Sequence, residues 1–512
     1  MTSQRRAPSA TFWSCALLVG AVIAGAGWFL YSEHRIAGRW GFSLDDSWIY
    51  ATFARNIATG KGYSFNAGER VAGATGPLYA LILALFYRLF HEVVWSAKVF
   101  GIACLCGSSV LMYLAARNLT PRSHLRPLWV GLLVGISPSL LWGALSGMEI
   151  APYIFLNCLG IYCYTKERWI LAALCWSLGV WLRPDGLLLA LMGLFLRPKL
   201  TARGMGTTLL VVAPVLAAFF AFNYVVGGRF LPNSVLVKTH FGPGVLPQIW
   251  EMLQRWAPLW GLAMRRWDVP EHSIVLLPAM MIGAVLMARR FPALAAFILG
   301  LPLGLAIFGA SSGSHGRYMM PVIPFGVLLA AEGLNHASGR ALGRRWKVGL
   351  FAAALFCVAW QVRSVERKGI VHGWNVENIN DMQRLLAETI RASASPGDTI
   401  AVNDVGAMGY FSGCYIVDLV GLVSPLRSFP ENLKQYRPKY LVIFPAWFRQ
   451  YAAVNPVTRR AAFYDADSAW KYVPVAGARL RTNTICSRDR MLVFARMSPD
   501  KEGPENVQMM VH

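Results

Sequence analysis

Long apolar blocks separated by short polar segments fill the chain from its N-terminal region to Trp360. A helix needs roughly twenty apolar residues to cross a bilayer, and most of these blocks span that length or nearly span it. The pattern therefore predicts a mostly α-helical, polytopic membrane bundle with about eleven spans. The predicted spans are 11–31, 96–116, 128–145, 151–164, 169–182, 187–196, 207–226, 273–287, 291–310, 321–334 and 348–360.

The charge of the loops gives the predicted orientation of this bundle. Arg5 and Arg6 precede the first span, and later Lys and Arg residues fall in alternate loops, which places those loops and the N-terminus in the cytoplasm. The apolar stretch 77–90 is too short to cross, and the alternation of charge fails if it does cross. It is therefore predicted to be a re-entrant or interfacial helix.

The predicted transmembrane domain covers residues 1–361, and two of its outer loops are long. The first, 32–95, carries an acidic pair, and the second, 227–272, mixes four Trp residues with Arg residues. Aromatic and cationic side chains together favour a helix in the lipid headgroup layer. That helix would be either an anchor or a lid that helps to hold a lipid phosphate.

Residues 362–512 are more polar and are predicted to form a small α/β domain on the outer face. Apolar residues recur at helical spacing from Ile379 to Ile390, and Pro396 and Gly397 end that helix. Short β-rich runs follow it at 399–402, 415–419, 440–444 and 491–494.

Composition agrees with a membrane protein and narrows its function. Hydrophobic residues make up 55% of the chain and charged residues 15%, and the mean hydropathy is +0.43. The net charge is +23, but most Lys and Arg residues lie in short loops between spans, so nucleic-acid binding is not predicted. Seven of the nine cysteines lie in or beside apolar spans. Cys414 and Cys486 lie in the outer domain, where a disulfide could form outside the cytoplasm.

Candidate chemistry collects on the outer side of the predicted bundle. Asp45 and Asp46 follow the first span, and two adjacent carboxylates beside a bilayer are costly unless they face water, a cation or a substrate. Further polar residues fall at the outer ends of other spans. These are Glu149, Arg183, Asp185, Lys238, His315 and Arg317.

Each of these residues also has a purely structural explanation. Glu149 can cap the next helix, and Arg183 and Asp185 can form an ion pair within a turn. Lys238 can extend toward the headgroups, and His315 can belong to an ordinary polar loop. These explanations do not account for the gathering of all of them on one face, and charged residues near a membrane usually mark the path of a substrate or ion.

Several short motifs follow one another through most of the chain. They are Asp45-Asp46, Arg55-Asn56, Phe65–Val71, Ser146–Glu149, Arg183–Asp185, Leu231–Ser234 with Lys238, His315–Arg317 and Asp418–Val423. This ordered set resembles the GT-C glycosyltransferases, polytopic enzymes that use polyprenyl-phosphate sugars at the outer face of the membrane. It is most similar to the terminal arabinofuranosyltransferase group of actinobacterial cell-wall synthesis and its shorter bacterial relatives. The outer domain is shorter than in the arabinosyl enzymes, and Thr75–Leu78 follows the general bacterial pattern.

The resemblance implies a reaction and a location. A sugar, arabinofuranose among the candidates, would pass with inversion from a polyprenyl-phosphate donor to an acceptor glycan or lipid. The resemblance also implies an Asp general base in the first outer loop, with Asp45 favoured and Asp46 as its helper. The protein would lie among the lipids of a bacterial inner membrane, with the active site and the C-terminal domain outside the cytoplasm.

The remaining candidates receive roles from the same resemblance. Cations must meet the charge of the leaving phosphate. Lys238, His315 and Arg317 are the candidates for the donor phosphate. Glu149, Arg183, Asp185 and Arg55 are the candidates for the sugar or the acceptor. No cofactor and no dedicated metal site is predicted, although Asp45, Asp46 and Glu149 could supply oxygens to a divalent cation.

Two other functions compete with the transferase. A transporter or flippase of lipid-linked sugars would place charges at mid-bilayer and show inverted repeats. A scaffold whose outer domain binds a partner would leave the gathered polar residues unexplained. Replacement of Asp45 would abolish turnover in a transferase and leave a scaffold functional.

Overall fold

The computed structural model describes residues 10–120, 125–196, 201–238, 273–307, 314–339, 344–395, 397–425, 427–454, 461–464, 471–498 and 508–511. Among the described residues, helices fill most of the chain up to residue 379, apart from short connections and the segment 59–76. They are α1 (Ala10–Ala37), α2 (Asp45–Ala58), α3 (Pro77–Phe90), α4 (Val94–Leu119), α5 (Leu125–Gly135), α6 (Pro138–Leu145), α7 (Ile150–Thr165), α8 (Trp169–Gly179), α9 (Gly186–Phe195), α10 (Ala202–Gly227), α11 (Asn233–Lys238), α12 (Ser273–Met287), α13 (Pro292–Ile307), α14 (Val322–Gly339) and α15 (Arg344–Ile379).

The helix bounds follow the apolar pattern closely, except at one break and at α15, which continues nineteen residues past the predicted end of its span at 360. Helix α3 has the predicted bounds and begins at Pro77, where the missing N–H costs nothing. The predicted span 128–145 is instead two helices, because Pro138 starts α6 after the extended residue Ser137. The axes of the two helices differ by 47°.

The structure contains several apolar helices that suit a membrane. By length and composition three described helices can cross one, namely α1, α4 and α10, or four if the bent pair α5 and α6 is a single span. Other apolar helices, including α3 and α7, are shorter. The count of about eleven spans stays a prediction.

A cluster of buried charges joins α1, α4 and α15. Glu33, Lys98 and His372 are fully buried. Lys98 Nζ donates to Glu33 Oε2, and His372 Nε2 lies 3.0 Å from the same oxygen. The other Glu33 oxygen accepts the backbone N–H of Gly41 at 3.2 Å. Because loss of one partner would leave a buried charge uncompensated, the cluster fixes the three helices and the start of the first outer loop.

The C-terminal domain is a mixed sheet with helices, as predicted. Helix α15 runs past residue 361, and α16 (Leu385–Ser393) continues it after a π-helical turn. The sheet order is β2-β1-β3-β7-β6-β5-β4, with β8 beside β6. The elements are β1 (Thr399–Val402), α17 (Gly406–Phe411), β2 (Tyr415–Asp418), α18 (Phe429–Tyr436), β3 (Tyr440–Ile443), β4 (Ala452–Val454), β5 (Ala461–Tyr464), β6 (Lys471–Arg479), β7 (Arg490–Met497) and β8 (Gln508–Val511).

The direction of the strands decides which turns reach the membrane domain. Strand β1 pairs in parallel with β2 and β3, with Ile400 opposite Ile416 and Tyr440. The carboxyl ends of β1 and β2 therefore lie at one edge of the sheet. Helix α17 follows β1 at that edge, and the loop 419–424 follows β2. Both segments contact the first outer loop.

The two cysteines of this domain, Cys414 and Cys486, do not form the disulfide that the sequence allowed. Cys414 and Cys486 are free thiols. The Cys486 thiol lies 3.5 Å from Gln383 Nε2, and the Cys414 thiol lies 3.7 Å from the Ser412 carbonyl oxygen. The two side chains thus have different neighbours.

Candidate active site

A cavity of about 450 Å³ lies between the first outer loop and helices α9, α11 and α13. Its polar lining comes from loops and helix ends, and its apolar lining comes from the bodies of α9 and α13. The charged lining residues are Asp46, Glu149, Arg183, Asp185 and Arg317, and the leucines include Leu187, Leu188, Leu191, Leu301 and Leu305. The structure thus brings five of the predicted site residues together.

Arg317 and Asp46 form an ion pair at this cavity. Arg317 Nη2 donates to Asp46 Oδ2 at 2.6 Å. Arg317 is only 6% exposed, and its Nε and Nη1 have no hydrogen-bond partner among the described residues. Burial opposes the charge, but Tyr318 and Asp46 hold the pKa of Arg317 above its usual value, so the side chain stays cationic. Buried N–H groups of a cation are costly without acceptors, so these donors suit an anion.

Arg183, in contrast, is already satisfied by two carboxylates. Its Nη1 donates to Glu149 Oε1 at 2.9 Å, and its Nε donates to Asp185 Oδ1 at 3.0 Å. The ring of Tyr318 lies near both guanidinium groups, 5.1 Å from Arg183 Cζ and 5.2 Å from Arg317 Cζ. The cavity therefore holds one neutralised Arg and one Arg with donors to spare.

Asp45 points away from the cavity and toward the C-terminal domain. Its two carboxylate oxygens accept the backbone N–H groups of Gly406, at 2.7 Å, and Ala407, at 2.8 Å. Asp404 lies in the same turn, and Gln383 Nε2 donates to its Oδ2 at 2.8 Å. Burial, and then the neighbouring Asp404 carboxylate, raise the pKa of Asp45 well above its usual value. Burial and the Asp46 carboxylate likewise raise the pKa of Asp404 to about 6.

Arg55 is also outside the described cavity lining. Its guanidinium donates to the carbonyl oxygens of Tyr410, at 2.7 Å, and Gly409, at 3.3 Å. It lies 4.5 Å from the centroid of the Tyr410 ring. Arg55, a candidate for binding the sugar or the acceptor, thus contacts helix α17 of the C-terminal domain.

His315 sits behind Arg317 and supports its loop. His315 Nδ1 lies 3.0 Å from Lys368 Nζ, and His315 Nε2 lies 2.8 Å from the side chain of Asn375. An ammonium group can only donate, so Nδ1 is the acceptor and the neutral ring carries its proton on Nε2. That proton needs an oxygen, which the Asn375 amide supplies when its O and N atoms are exchanged; the exchanged oxygen also accepts from Trp142 Nε1 at 3.0 Å.

The state of His315 limits what it can do to a phosphate. Burial, and then the Lys368 ammonium, lower the pKa of His315 to about 2. Its backbone has a φ of 55°, which is unusual for a residue with a side chain. His315 is therefore a neutral residue that shapes the loop before Arg317.

Some predicted features lie outside the described residues. The side chain of Lys238 is one of them, although helix α11 ends at Lys238 and its Ser234, Val235 and Leu236 line the cavity. The Trp-rich segment of the outer loop, from residue 239 to 272, is another.

Several residues at the site received no role in the sequence analysis, although Leu422 belongs to the motif Asp418–Val423 named there. Tyr318 and Tyr50 line the cavity, and Leu422 reaches it from the loop after β2. Tyr318 directly follows Arg317, so its position in the motif could have identified it. Asp404 carried no such signal, because it lies far along the chain from Asp45.

The oxygen donors considered for a divalent cation are not assembled as one group. Among the described residues, no three His, Cys, Asp or Glu side chains are grouped as metal ligands. Asp45 is held by backbone amides and Glu149 by Arg183, whereas Asp46 faces Arg317.

Comparison with known families adds a result for one domain. A family model described as a domain of unknown function, DUF8728, matches residues 374–494. These residues run from the end of α15 to β7 and include the turn that holds Asp45. No curated protein matches the chain.

Comparison with solved structures concerns the whole chain. The structure is similar to ArnT from Cupriavidus metallidurans in the apo state, with a TM-score of 0.53 and 15% identity over 95% of this chain and 98% of that chain. ArnT bound to undecaprenyl phosphate gives a TM-score of 0.50 and 16% identity, over 97% of this chain and 100% of that chain. The archaeal oligosaccharyltransferase AglB from Archaeoglobus fulgidus, in complex with an inhibitory peptide and a dolichol-phosphate, gives 0.56 and 11%, over 89% and 74%.

These proteins are GT-C glycosyltransferases, so the similarity identifies the architecture. The chain has the GT-C fold. At these identities the comparison establishes the fold alone, and the reaction must be argued from the site.

Proposed function

We propose that the protein is a membrane glycosyltransferase that moves a sugar from a polyprenyl-phosphate donor to an acceptor glycan or lipid outside the cytoplasm. One observation carries the proposal: two nitrogens of the buried cation Arg317, Nε and Nη1, have no hydrogen-bond partner among the described residues and lie beside the carboxylate of Asp46, in a cavity with a leucine-rich wall. A cation without an anion suits a phosphate, and a carboxylate beside it suits a general base.

The shape of the cavity supports an amphiphilic donor. The phosphate would bind Arg317, whose planar guanidinium offers parallel donors. The isoprenoid chain would lie along Leu187, Leu191 and Leu301, where apolar burial contributes roughly 25 cal/mol per Å². The neighbouring fold agrees, because ArnT has been seen with undecaprenyl phosphate and AglB with a dolichol-phosphate.

Glu149 and Asp185 suit the sugar. Both line the cavity, and both are oriented by Arg183. A carboxylate held in this way still has lone pairs that can accept hydrogen bonds from sugar hydroxyl groups. The cavity therefore has separate places for phosphate, sugar and lipid.

The reaction is a single displacement with Asp46 as the base. Asp46 takes the proton of the acceptor hydroxyl group while that oxygen bonds to the anomeric carbon. The bond from the anomeric carbon to the phosphate oxygen breaks with inversion, and its electron pair leaves on the polyprenyl phosphate. The charge that develops on the phosphate is met by Arg317, which is worth most in the transition state.

The first test is transfer by purified protein in detergent. A panel of synthetic polyprenyl-phosphate sugars, arabinofuranose included, would be offered with an envelope glycan and lipid fraction as the acceptor. We expect polyprenyl phosphate to be released with one sugar. Asp46→Asn should lower turnover about 10²- to 10⁴-fold while the donor still binds.

A matched variant controls for a general loss of positive charge. Arg317→Gln should raise the KM for the donor, whereas Arg363→Gln, on a side chain that is 64% exposed, should behave as wild type. Release from no donor, or release that survives Asp46→Asn, would refute the proposal. Movement of a donor across a vesicle membrane without release would favour the flippase.

A further inference from the structure

The C-terminal domain binds Asp45, the residue next to the proposed base Asp46. Asp45 uses both carboxylate oxygens on the backbone N–H groups of Gly406 and Ala407. A side chain at Gly406 would overlap the backbone carbonyl group of Asp45, so the contact needs a glycine there. The contact is thus close at both the side chain and the main chain.

The contact between α2 and the C-terminal domain extends along the whole of helix α17. Asp45, at the start of α2, faces the first turn of α17, and Arg55, in the last turn of α2, binds its last carbonyl groups. The two helices therefore run side by side in the same direction. The carboxylate of Asp45 lies at the N-terminal end of α17 and the guanidinium of Arg55 at its C-terminal end, as the helix dipole favours. Trp48, which lies between Asp45 and Arg55 on α2, packs on the rings of Tyr410 and Phe411, with ring centroids 5.0 and 4.6 Å apart.

A second contact holds the same domain to the first outer loop. The Asn66 side chain donates to the carbonyl oxygen of Ile416 and accepts its N–H, both at 2.9 Å, as a neighbouring strand would. This occupies the edge of β2 beside the loop that brings Leu422 to the cavity. The domain is therefore fixed both at α2 and at its sheet edge.

We propose that the C-terminal domain, most of it the segment matched by DUF8728, orients the base of the transfer reaction by holding Asp45. Asp45, Gly406 and Ala407 are then positioning residues, and Asp46 is the residue they position. This inference rests on the proposed function, because it takes Asp46 as the base.

Helix geometry explains why hydrogen bonds to Asp45 also fix the direction of the Asp46 side chain. Consecutive side chains of a helix point about 100° apart around its axis, since a turn has 3.6 residues. Fixing Asp45 therefore fixes the rotation of the first turn of α2, and with it the direction of Asp46. The N-cap residue Leu44 makes no side-chain cap, so no local hydrogen bond of that kind holds this turn.

The test separates positioning from mere attachment of the domain. Asp45→Asn turns an amide N–H₂ group toward a backbone N–H, and Gly406→Ala pushes α17 away from α2. We expect both to lower kcat by about 10²-fold, the effect of a displacement near 1 Å at a reacting group, with donor KM and polyprenyl-phosphate affinity within twofold of wild type. Hydrogen exchange at residues 404–411 should become faster. Arg479→Gln, an exposed change in the same domain, should alter none of these.

Each outcome bears on the inference. Unchanged kcat with faster exchange at 404–411 would overturn it, because the domain would then be attached without orienting the base. A raised donor KM with unchanged kcat would also overturn it. If Gly406→Ala does not fold, Asn66→Ser, at a residue that does not line the described cavity, should still lower kcat and leave donor affinity unchanged. A wild type that transfers no sugar defeats the proposed function, and this inference with it, whereas an active wild type with active variants defeats this inference alone.

Discussion

The Arg317 guanidinium and the Asp46 carboxylate are joined by a 2.6 Å hydrogen bond at the cavity, and this bond uses only one nitrogen of Arg317. The cation can therefore hold the carboxylate and still bind an anion. Asp46 is then fixed on its cationic side, and an acceptor hydroxyl group must approach from another side. The pair ties the direction of attack to the place of the phosphate.

Replacement of Arg317 by Lys should lower the affinity for the donor more than it lowers the stability of the folded protein. Lysine keeps the charge but loses the fork of donors, so a loss of about 1.5–3 kcal/mol, roughly 10- to 100-fold in donor affinity, is expected. Binding of polyprenyl phosphate to the purified variant measures this. Equal affinity in the Lys variant would mean that the phosphate does not use the fork.

His315 should contribute structure and no titration. Because its pKa is lowered to about 2, it stays neutral throughout the working range of pH. His315→Asn keeps an acceptor for Lys368 and tolerates a positive φ. We expect kcat/KM to fall while the shape of its pH profile above about pH 5 stays the same. Disappearance of a limb near pH 6 in the variant would show that His315 does titrate in the wild type.

Asp404 should make the folded protein less stable as pH rises. Its carboxyl faces Asp45 and Asp46 and lies near Cys486, while Arg317 is paired with Asp46. The folded pKa of about 6 is above the ordinary value, so its stabilising contribution is present below about pH 4 and is lost as pH rises through 6. Asp404→Asn should therefore raise Tm near pH 8 and leave it unchanged near pH 4.

Asp398 provides a control of opposite sign in the same domain. A hydrogen bond from Lys439 lowers the pKa of Asp398, so its contribution is present at neutral pH and is lost on acidification. Asp398→Asn should lower Tm near pH 8. An Asp404→Asn variant that also loses stability at that pH would contradict the assignment of a raised pKa.

The leucine wall should distinguish donors by the length of their lipid. Leu191→Trp fills the cavity between α9 and α13, so the KM should rise for a long polyprenyl donor and change little for a short one. Leu171→Trp is the matched control, because Leu171 of α8 is 43% exposed, close to the 41% of Leu191, and does not line the described cavity. The same rise for both lipid lengths would mean that the chain lies elsewhere.

The sequence predicted what depends on neighbours along the chain. The bounds of α3 and the strand β1 follow from apolar spacing and turn residues alone. Strands β4, β5 and β8 were missed because they contain few β-branched residues, and the longer β6 because its burial pattern is irregular. Local pattern is thus enough for the long apolar helices and for half of the strands, whereas the helices α2, α11, α17 and α18 were not predicted.

The division of labour in the acidic pair could not be predicted in this way. Asp45 meets Gly406 across 361 positions of sequence, and nothing near either residue indicates the partner. His315 and Lys368 are likewise brought together by the fold. The sequence identified five of the residues that gather at the cavity, but which of the candidates face it depends on contacts between distant segments.

The cluster of Glu33, Lys98 and His372 imposes an order on the synthesis and membrane insertion of this protein. Helix α1 leaves the ribosome before α4 and α15, and it carries an acid whose counter-charge arrives only with α4, while His372 is made 339 residues after Glu33. We expect the first helix to settle fully into lipid only after α4 is synthesised. A chain truncated before α15 would keep the Glu33–Lys98 pair but lack His372 and the helix that covers the pair, and cellular quality control could recognise these uncovered charges as the mark of an unfinished molecule.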